Sequence, residues 1–375
     1  MNIGILGGGQ LARMLAEAGA PLGLRFTFVD PKADACAGQF GRLVTADWQD
    51  RSVIDALSGC DRVTCDFENV PAAVLDRLAT ETTVHPSASA FAAAQDRLVE
   101  KRLFETLDIP VPPFAAVSSR PELQEALERI GYPAVLKTRR MGYDGKGQAV
   151  LRMPEDLEPA WQALGDHELI LEGFVSFDFE CAITVVRSAD GSLRCYPLSH
   201  TVHHDGVLRL ALAPAPLAGQ LQTQAESLGR ALAEHLDYVG CLTLELFAAE
   251  GRLLANEFAP RVHNSAHWTI EGAQTSQFEN HLRAVCGWPL GDTSARGRSL
   301  MINWIGALPQ REALLACRGL HWHDYLKAAR AGRKVGHATL TEASGQSLEE
   351  LIAGVLPKLD DQSAALLTGL MNDSA

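Results

Sequence analysis

The chain has 375 residues and a mass of 40.4 kDa, with 47% hydrophobic and 21% charged side chains, the proportions of an ordinary globular protein with room for two or three domains. A formal charge of −13 argues against bulk binding of nucleic acid or anionic membrane, while a locally basic pocket would still take an anionic substrate. No apolar run approaches the roughly 20 residues that span a bilayer, the start runs straight into a glycine motif with no signal-peptide pattern, and eight scattered cysteines without a CxxC read as reduced thiols of a cytoplasmic protein.

Over the first part of the chain, strand signals at Asn2–Leu6, Phe26–Asp30, Arg62–Glu68 and Thr83–His85 alternate with helical stretches from Gln10, Ser52 and Ala72. That alternation predicts a parallel sheet flanked by helices. Between the first strand and helix, Gly7-Gly8-Gly9-Gln10-Leu11-Ala12 fits G-x-G-x-x-A, and Asp30 ends the next strand near the spacing of a ribose-binding acid. Three readings share that turn: a nicotinamide site, a tight turn that binds nothing, and a helix N-terminus offered to another phosphate. Nothing later in the chain resembles hydride-transfer chemistry.

A helical run over Ser89–Leu107 ends at the cluster Pro110, Pro112 and Pro113, a candidate boundary. From Pro133 onward short strands dominate, at Ala134–Lys137, Gln148–Arg152, Leu169–Glu172, Glu180–Val186 and Arg194–Pro197, with one helix near Pro154–Leu164. This is the texture of an α+β module. Val135-Leu136-Lys137 is an apolar strand ending in lysine, and Gly142-Tyr143-Asp144-Gly145-Lys146-Gly147-Gln148 follows with its three glycines. In such a loop backbone amides close over phosphate oxygens while a lysine supplies the countercharge. It is not G-x-x-x-x-G-K-[ST], so it reads as a hairpin loop covering ATP, with a plain surface hairpin as the alternative. Leu169–Val175 reads as a buried strand leaving toward a hinge, with Glu180 just beyond, an arrangement suited to adenine and ribose hydroxyls.

Gln220–Leu236 predicts a helix, and two apolar runs follow it, Cys241–Phe247 and Arg252–Phe258. Folded as an antiparallel hairpin about Gly251, residues equidistant from that glycine face each other, which sets Glu245 opposite Glu257. Carboxylates opposed at roughly 5 Å between Cβ atoms repel, and a cation between them relieves the repulsion. Few, hard oxygen ligands suit Mg²⁺ shared with substrate phosphates; the alternative is an exposed hairpin with two solvated acids. Directly downstream lies the polar run Ala259-Pro260-Arg261-Val262-His263-Asn264-Ser265. The histidine groups His200, His203 and His204, His263 and His267, and His321 and His323 lack the cysteine or carboxylate partners of a zinc site. They read as phosphate-binding or substrate-orienting groups. A helix around Phe278–Cys286, a polar linker at Gly291–Arg298, a strand at Met301–Ile305, a basic patch at Lys327–Lys334 and a terminal helix from Leu348 complete the chain.

Lys137, the Gly142–Gln148 loop, Glu245, Asn256-Glu257 and the Ala259–Ser265 run together resemble the ATP-grasp superfamily. The wording is closer still to the N5-carboxyaminoimidazole ribonucleotide synthetase family. Gly7–Leu11, Phe67-Glu68-Asn69-Val70, Gly142–Gly147, Ala259–Thr269 and Gly332–His337 carry that resemblance, which spans essentially the whole chain. One departure is Asp66, where the family often has glutamate. The resemblance implies a mixed α/β and α+β ATP-grasp fold: an N-terminal parallel-sheet pre-ATP-grasp domain (1–95), a small central ATP-lid domain (96–180) and a larger C-terminal domain (181–375) with a small terminal subdomain from about 299. It also implies a homodimeric, cytoplasmic carbon–nitrogen ligase of purine biosynthesis. Such an enzyme uses ATP and Mg²⁺ to join bicarbonate to 5-aminoimidazole ribonucleotide through carboxyphosphate, with transient contact to the downstream mutase.

By motif position the resemblance assigns ATP to Arg97, Lys137, Gly142, Tyr143, Asp144, Gly145, Lys146, Gly147, Gln148, Glu172, Gly173, Phe174, Val175, Glu180, His203, Asn256 and Glu257, and Mg²⁺ to Glu245 and Glu257. It assigns the ribonucleotide to Gly9, Gln10, Leu11, Glu68, Asn69, Tyr143, Asp144, Arg261, His263, Asn264, Ser265, Lys327 and Arg333. The chemistry falls to Arg261, His263, Asn264, Tyr143 and Asp144. Lys327 and Arg333 give the 5′-phosphate a basic seat in an acidic protein, solvated side chains being the alternative. Rival ATP-grasp ligases that use formate or an acyl phosphate share Lys137, Glu245 and Glu257 but should lack the run from Arg261 to Thr269. A nucleotide sensor has no need of both acids and Arg261.

Overall fold

Strands buried on both faces read as continuous apolar runs, and Asn2-Ile3-Gly4-Ile5-Leu6 is one. In the computed structural model, which describes residues 1–142, 146–216, 219–342 and 345–373, this run is β1 (Asn2–Leu6), followed by α1 (Gln10–Gly19), β2 (Arg25–Asp30), β3 (Arg42–Thr45), α2 (Arg51–Leu57), β4 (Arg62–Cys65) and α3 (Ala72–Ala79). The four strands form the expected parallel sheet in the order β3-β2-β1-β4. Thr83–His85 contributes only an isolated bridge from Val84 to Val63. The single helix expected over Ser89–Leu107 is two, α4 (Ala88–Ala94) and α5 (Arg97–Thr106). Asp96 divides them: its Oδ1 accepts from the amides of Leu98 and Val99 and so caps α5, and a capping residue is held out of the helical conformation.

A second, antiparallel sheet follows: β5 (Phe114–Val117), α6 (Arg120–Ile130), β6 (Ala134–Thr138), β7 (Gln148–Leu151), α7 (Leu157–Leu164) and β8 (Leu169–Gly173), in the strand order β5-β8-β6-β7. The remaining strands are β9 (Phe179–Arg187), β10 (Leu193–Cys195), β11 (Ser199–His204), β12 (Val207–Ala213), β13 (Gly240–Ala249), β14 (Arg252–Ala259), β15 (Ser299–Ile305), β16 (Leu320–Asp324) and β17 (Lys334–Thr341). They form one nine-stranded sheet in the order β14-β13-β9-β11-β12-β15-β17-β16, with β10 beside β9. The strands after residue 299 thus extend the same sheet. Among them lie α8 (Gly219–His235), α9 (Thr269–Gly272), α10 (Gln277–Val285) and α11 (Arg311–Leu315), and α12 (Leu348–Val355) and α13 (Asp361–Asp373) close the chain.

Two apolar clusters place the site. One joins Leu11 and Leu15 of α1 and Phe26 of β2 to Phe278 and Leu282 of α10 and to Trp268, so the N-terminal sheet is fastened to the large sheet. The other lies under β13, β14 and α8 and includes Leu244, Leu246, Leu253, Ala255 and Phe258. Arg13 Nη1 on α1 donates to the Asp324 carbonyl at 2.7 Å, which ties the first helix to the β16–β17 connection. All eight cysteines are free. Among the described residues no helix is long and apolar enough to cross a membrane.

Candidate active site

The hairpin of β13 and β14 turns on Glu250 and Gly251, both with positive φ (52° and 73°), a two-residue connection for which glycine is well suited. Pairing near the turn runs from Ala249↔Arg252 to Leu246↔Ala255, so the fold axis lies between Glu250 and Gly251. A bulge then shifts the register by one residue and sets Glu245 opposite Glu257. The opposition expected from the sequence is present, but it depends on that bulge.

The carboxylates are not bare, and here the sequence expectation is corrected. Glu245 Oε1 lies 3.0 Å from His263 Nε2, and Glu257 Oε2 accepts from Arg97 Nη1 at 2.6 Å. Arg97 and the His263 ring therefore already partner the two carboxylates. Burial alone would raise the Glu245 carboxyl, but His263, with help from His203 and Lys334, holds it at about 2. The pair still fits Mg²⁺: its two carboxylates offer only hard oxygen donors, with the rest of the shell left to phosphates and water. Among the described residues no group of three His, Cys, Asp or Glu side chains is placed to hold a metal.

A cleft opens in front of the two acids and is lined also by Glu68, Asn69, Arg97, Gly142, Arg261 and His263. Arg261 Nε donates to Glu68 Oε2 at 2.5 Å, joining the polar run after β14 to the loop after β4. That loop is fixed by Gln95, whose Nε2 donates to the carbonyls of Glu68 (2.8 Å) and Val70 (2.7 Å). His263 Nδ1 sits 2.9 Å from Ser265 Oγ. Gln277 clasps the His263 backbone, accepting from its amide at 2.8 Å and donating to its carbonyl at 2.7 Å. Both polar atoms of the Asn264 side chain are buried without a hydrogen-bond partner among the described residues, an uncommon state for a structural residue.

On the side toward the second sheet, Lys137 of β6 has its Nζ 3.0 Å from Glu172 Oε2, and Lys101 reaches the same oxygen at 3.4 Å. Burial would raise Glu172; the two ammoniums, Lys137 first, hold it at about 2. The amides of Gly173 and Phe174 donate to the carbonyls of Pro113 and Pro133, Val175 is half-buried, and Phe174 is exposed. Glu180 Oε2 and His203 Nδ1 lie 2.9 Å apart across β9 and β11. Gly142 lines the cleft, while Lys146, Gly147 and Gln148 lead into β7, with Gln148 paired to Lys137. Tyr143, Asp144 and Gly145 lie outside the described residues.

The N-terminal glycine turn is already committed within the protein. The Gly7 amide donates to the Val29 carbonyl (2.8 Å), that of Gly8 to Asp30 Oδ2 (2.9 Å), and those of Gly9 and Ala12 to Asp66 Oδ2 (3.0 and 3.1 Å). Asp30 also accepts from the Lys32 amide at 2.8 Å, so it braces the turn. A Cβ on Gly7 would lie 1.5 Å from Asp66 Oδ1, which leaves room only for glycine. Burial raises the Asp66 carboxyl to about 7. Leu11 turns its side chain into the core, whereas the Gln10 Oε1 accepts from Lys327 Nζ. Burial lowers Lys327 to about 8, and its Nζ stands 5.8 Å over the Tyr325 ring. Arg333 Nη1 reaches the Ala328 carbonyl at 3.3 Å within the same loop. Beneath it His323 stacks on His337 at 4.2 Å, with Tyr325 Oη 2.8 Å from His337 Nδ1.

Residues 1–95 match the ribonucleotide synthetase preATP-grasp domain, 102–278 the ATP-grasp domain, and 299–351 the phosphoribosylaminoimidazole carboxylase C-terminal domain. The chain is 51% identical over 357 residues to the N5-carboxyaminoimidazole ribonucleotide synthase of Pseudomonas aeruginosa, covering 95% of this chain and 98% of that one. It belongs to the N5-carboxyaminoimidazole ribonucleotide synthase family. The relative from Vibrio cholerae is 40% identical, with 97% of each chain covered. The synthetase structure from Thermus thermophilus superposes with a TM-score of 0.91 at 51% identity, covering 96% of this chain and 99% of that one. An Aspergillus clavatus synthase, solved with ADP and 5-aminoimidazole ribonucleotide, gives 0.88 at 30% identity, covering 99% and 98%. The ATP-grasp fold with a parallel N-terminal sheet, implied by the motifs, is the fold of this family member. Sequence reading missed Lys101, Glu100, Gln95 and Gln277. None of them sits in a glycine loop or a recognisable acid pair, and their importance lies in partners 14 to 158 residues away.

Proposed function

We propose that the chain carboxylates 5-aminoimidazole ribonucleotide on its amine, using ATP and bicarbonate, and releases N5-carboxyaminoimidazole ribonucleotide, ADP and phosphate for purine biosynthesis. The observation that carries this reading is the convergence of Glu245, Glu257, Arg97, Arg261 and His263 on one cleft, in a chain related over its whole length to such synthases.

Bicarbonate is a poor electrophile because its carbon carries an anionic leaving group. Transfer of the γ-phosphoryl group to one of its oxygens gives carboxyphosphate, whose phosphate leaves readily. The ribonucleotide amine then takes the carboxyl carbon, loses a proton and releases phosphate. Lys137, Arg97, Lys146 and the Gly142–Gln148 loop, with Tyr143, Asp144 and Gly145, hold the ATP phosphates. Glu172, Gly173, Phe174, Val175, Glu180 and His203 hold its adenosine, and Asn256 stands beside the acids. Glu245 and Glu257 would hold Mg²⁺, which when bound neutralises β,γ-phosphate oxygens during in-line transfer.

ATP phosphates offer Arg97 an anionic partner in exchange for Glu257. Arg261, fixed by Glu68, presents its remaining N–H donors to carboxyphosphate, and His263 and Asn264 complete that side. Gly9, Gln10, Leu11, Glu68, Asn69 and Ser265 meet the ribonucleotide, with Lys327 and Arg333 on its 5′-phosphate. We further infer division into domains at about residues 95 and 180, a cytoplasmic homodimer, and transient contact with the enzyme that consumes the product.

The test is ADP release by the purified chain with each substrate omitted in turn. Release is expected only when bicarbonate and the ribonucleotide are both present. ATP consumption supported by formate, or indifferent to the ribonucleotide, would assign the cleft to another ligase.

A further inference from the structure

Among the described residues strand β14 is an edge of the nine-stranded sheet, and one side of its backbone has no neighbouring strand. Its core-facing residues are Leu253, Ala255 and Phe258, all in one apolar cluster with Leu244 and Leu246 of β13. The last step spans three residues where alternation predicts two, because Asn256 is the extra residue of the bulge. Continued without the bulge, the pairing Leu246↔Ala255 would set Asn256 opposite Glu245 and Glu257 opposite Leu244. A one-residue slip moves a side chain to the other face, so Glu257 would then point into the core. The bulge brings it to the face of Glu245.

Groups outside the sheet hold the bulge on its open edge. Lys101 Nζ on α5, its side chain 1% exposed, donates to the carbonyls of Ala255 (3.1 Å) and Asn256 (2.7 Å). Glu100 Oε1, also buried, accepts from the Phe258 amide at 2.7 Å. The Ala255 amide donates to the Pro110 carbonyl, just beyond α5, at 2.7 Å. Two carbonyls and two amides flanking the irregular step are thus taken by α5 and the residues after it. A buried ammonium is costly unless paired and hydrogen-bonded, and Lys101 meets that condition here and through Glu172.

We propose that Lys101 and Glu100 are positioning residues that set the register of the acid pair, turning Glu257 out of the core and onto Glu245. This rests on the reading of Glu245 and Glu257 as the metal-holding acids, and the test separates the two claims. Lys101→Met keeps the length of the side chain and removes its donors. Amide hydrogen exchange over residues 252–259 of the ligand-free protein should quicken about tenfold or more, the scale of losing a charged hydrogen bond. The affinity for Mn²⁺ in the presence of ADP, read from the spin-resonance signal of free Mn²⁺, should fall about tenfold, while the apparent constant for the ribonucleotide stays within about twofold.

Glu100→Gln keeps an acceptor for the Phe258 amide and should match the parent in both measurements. Glu100→Leu should shift them as Lys101→Met does, and it serves if the lysine variant does not fold. Parent-like exchange together with parent-like Mn²⁺ affinity in Lys101→Met or Glu100→Leu would overturn the proposal. Unchanged Mn²⁺ affinity in Glu257→Gln would overturn the metal assignment instead, and the exchange measurement would still decide the register.

Discussion

Glutamine at position 257 keeps the shape of the side chain and removes one charge. In the ligand-free protein the amide oxygen can still accept from Arg97, but the 2.6 Å bond loses its charge assistance, and a charge-assisted contact contributes about 1.5–3 kcal/mol when shielded from water. The Glu257 side chain is 40% exposed, and screening brings that down to about 1 kcal/mol. A smaller gain opposes it, because burial and then the Glu257 charge raise the neighbouring Glu100 carboxyl to about 8, and that strain is relieved. The net loss is therefore between about 0 and 1 kcal/mol, and 1 kcal/mol moves the melting temperature of a domain of roughly 150–250 residues by about 2–4 °C. Metal-free calorimetry should show a fall of no more than about 4 °C, where unrelieved carboxylate repulsion would require a rise. Turnover should be lost if, as proposed, Glu245 and Glu257 hold Mg²⁺, because one of those two charges is gone. A rise in melting temperature would mean that the Arg97 pair contributes nothing in solution. A fall beyond about 10 °C, well outside that range, would make Glu257 a structural residue, and retained turnover would remove it from the site.

Lys327→Ala and Arg333→Ala should each raise the apparent constant for the ribonucleotide about ten- to a hundred-fold, the equivalent of one charge-assisted phosphate contact, with the ATP constant nearly unchanged; the reverse pattern in steady-state kinetics would cancel the phosphate seat. Because burial lowers Lys327 to about 8, its charge is lost above that pH, and the ribonucleotide constant should climb between pH 8 and 9 in the parent; a flat profile would show that Lys327 carries no substrate charge. The folded-state value of Asp66, raised to about 7 from 3.8, means that its contribution to stability is full below about pH 4 and is lost as pH rises through 7. The melting temperature of the parent relative to Asp66→Asn should accordingly drop between pH 4 and 8, and a difference independent of pH would contradict the burial argument. Titration with NADH or NADPH, followed by nicotinamide fluorescence, should show no saturable micromolar binding; saturation would return the glycine turn to the dehydrogenase reading, against the engagement of Asp30 with Gly8 and Lys32.

Where local pattern and tertiary packing agree, the elements were legible in the sequence. β1, β2, β6 and β8 are apolar runs bounded by turn residues, and α8 and α10 keep a helical period over two or more turns. β3 was not legible because it is a four-residue edge with half-exposed side chains. Two missed elements did carry signals. Ser119 stands three residues before Glu122 and accepts its amide, the N-terminal signature of α6. Asp205-Gly206, both with positive φ, joins β11 to β12 as a D-G hairpin turn, in a region where the histidines were weighed as possible ligands. Among the candidate site residues, Lys137, Glu245, Glu257 and Arg261 stand in local wording that marks them. The pairings Arg97–Glu257, Arg261–Glu68 and Lys327–Gln10 were not legible, since each joins residues more than 150 positions apart and exists only once the sheets have packed.

The acid pair shows how a correct local inference can rest on a non-local cause. Counting outward from Gly251 pairs Glu245 with Glu257, but the turn is centred half a residue earlier, and a regular ladder from that turn would pair Glu245 with Asn256. The bulge supplies the missing residue, and its edge is held by side chains from α5, more than 150 positions away. Alternation that fails within an otherwise regular strand is expected where function competes with packing. Here the failure falls between Ala255 and Phe258, two core residues that cannot both face inward unless an extra residue separates them. The same irregular step that satisfies the core delivers Glu257 to the cleft, so the packing of Phe258 and the placement of the acid are one constraint.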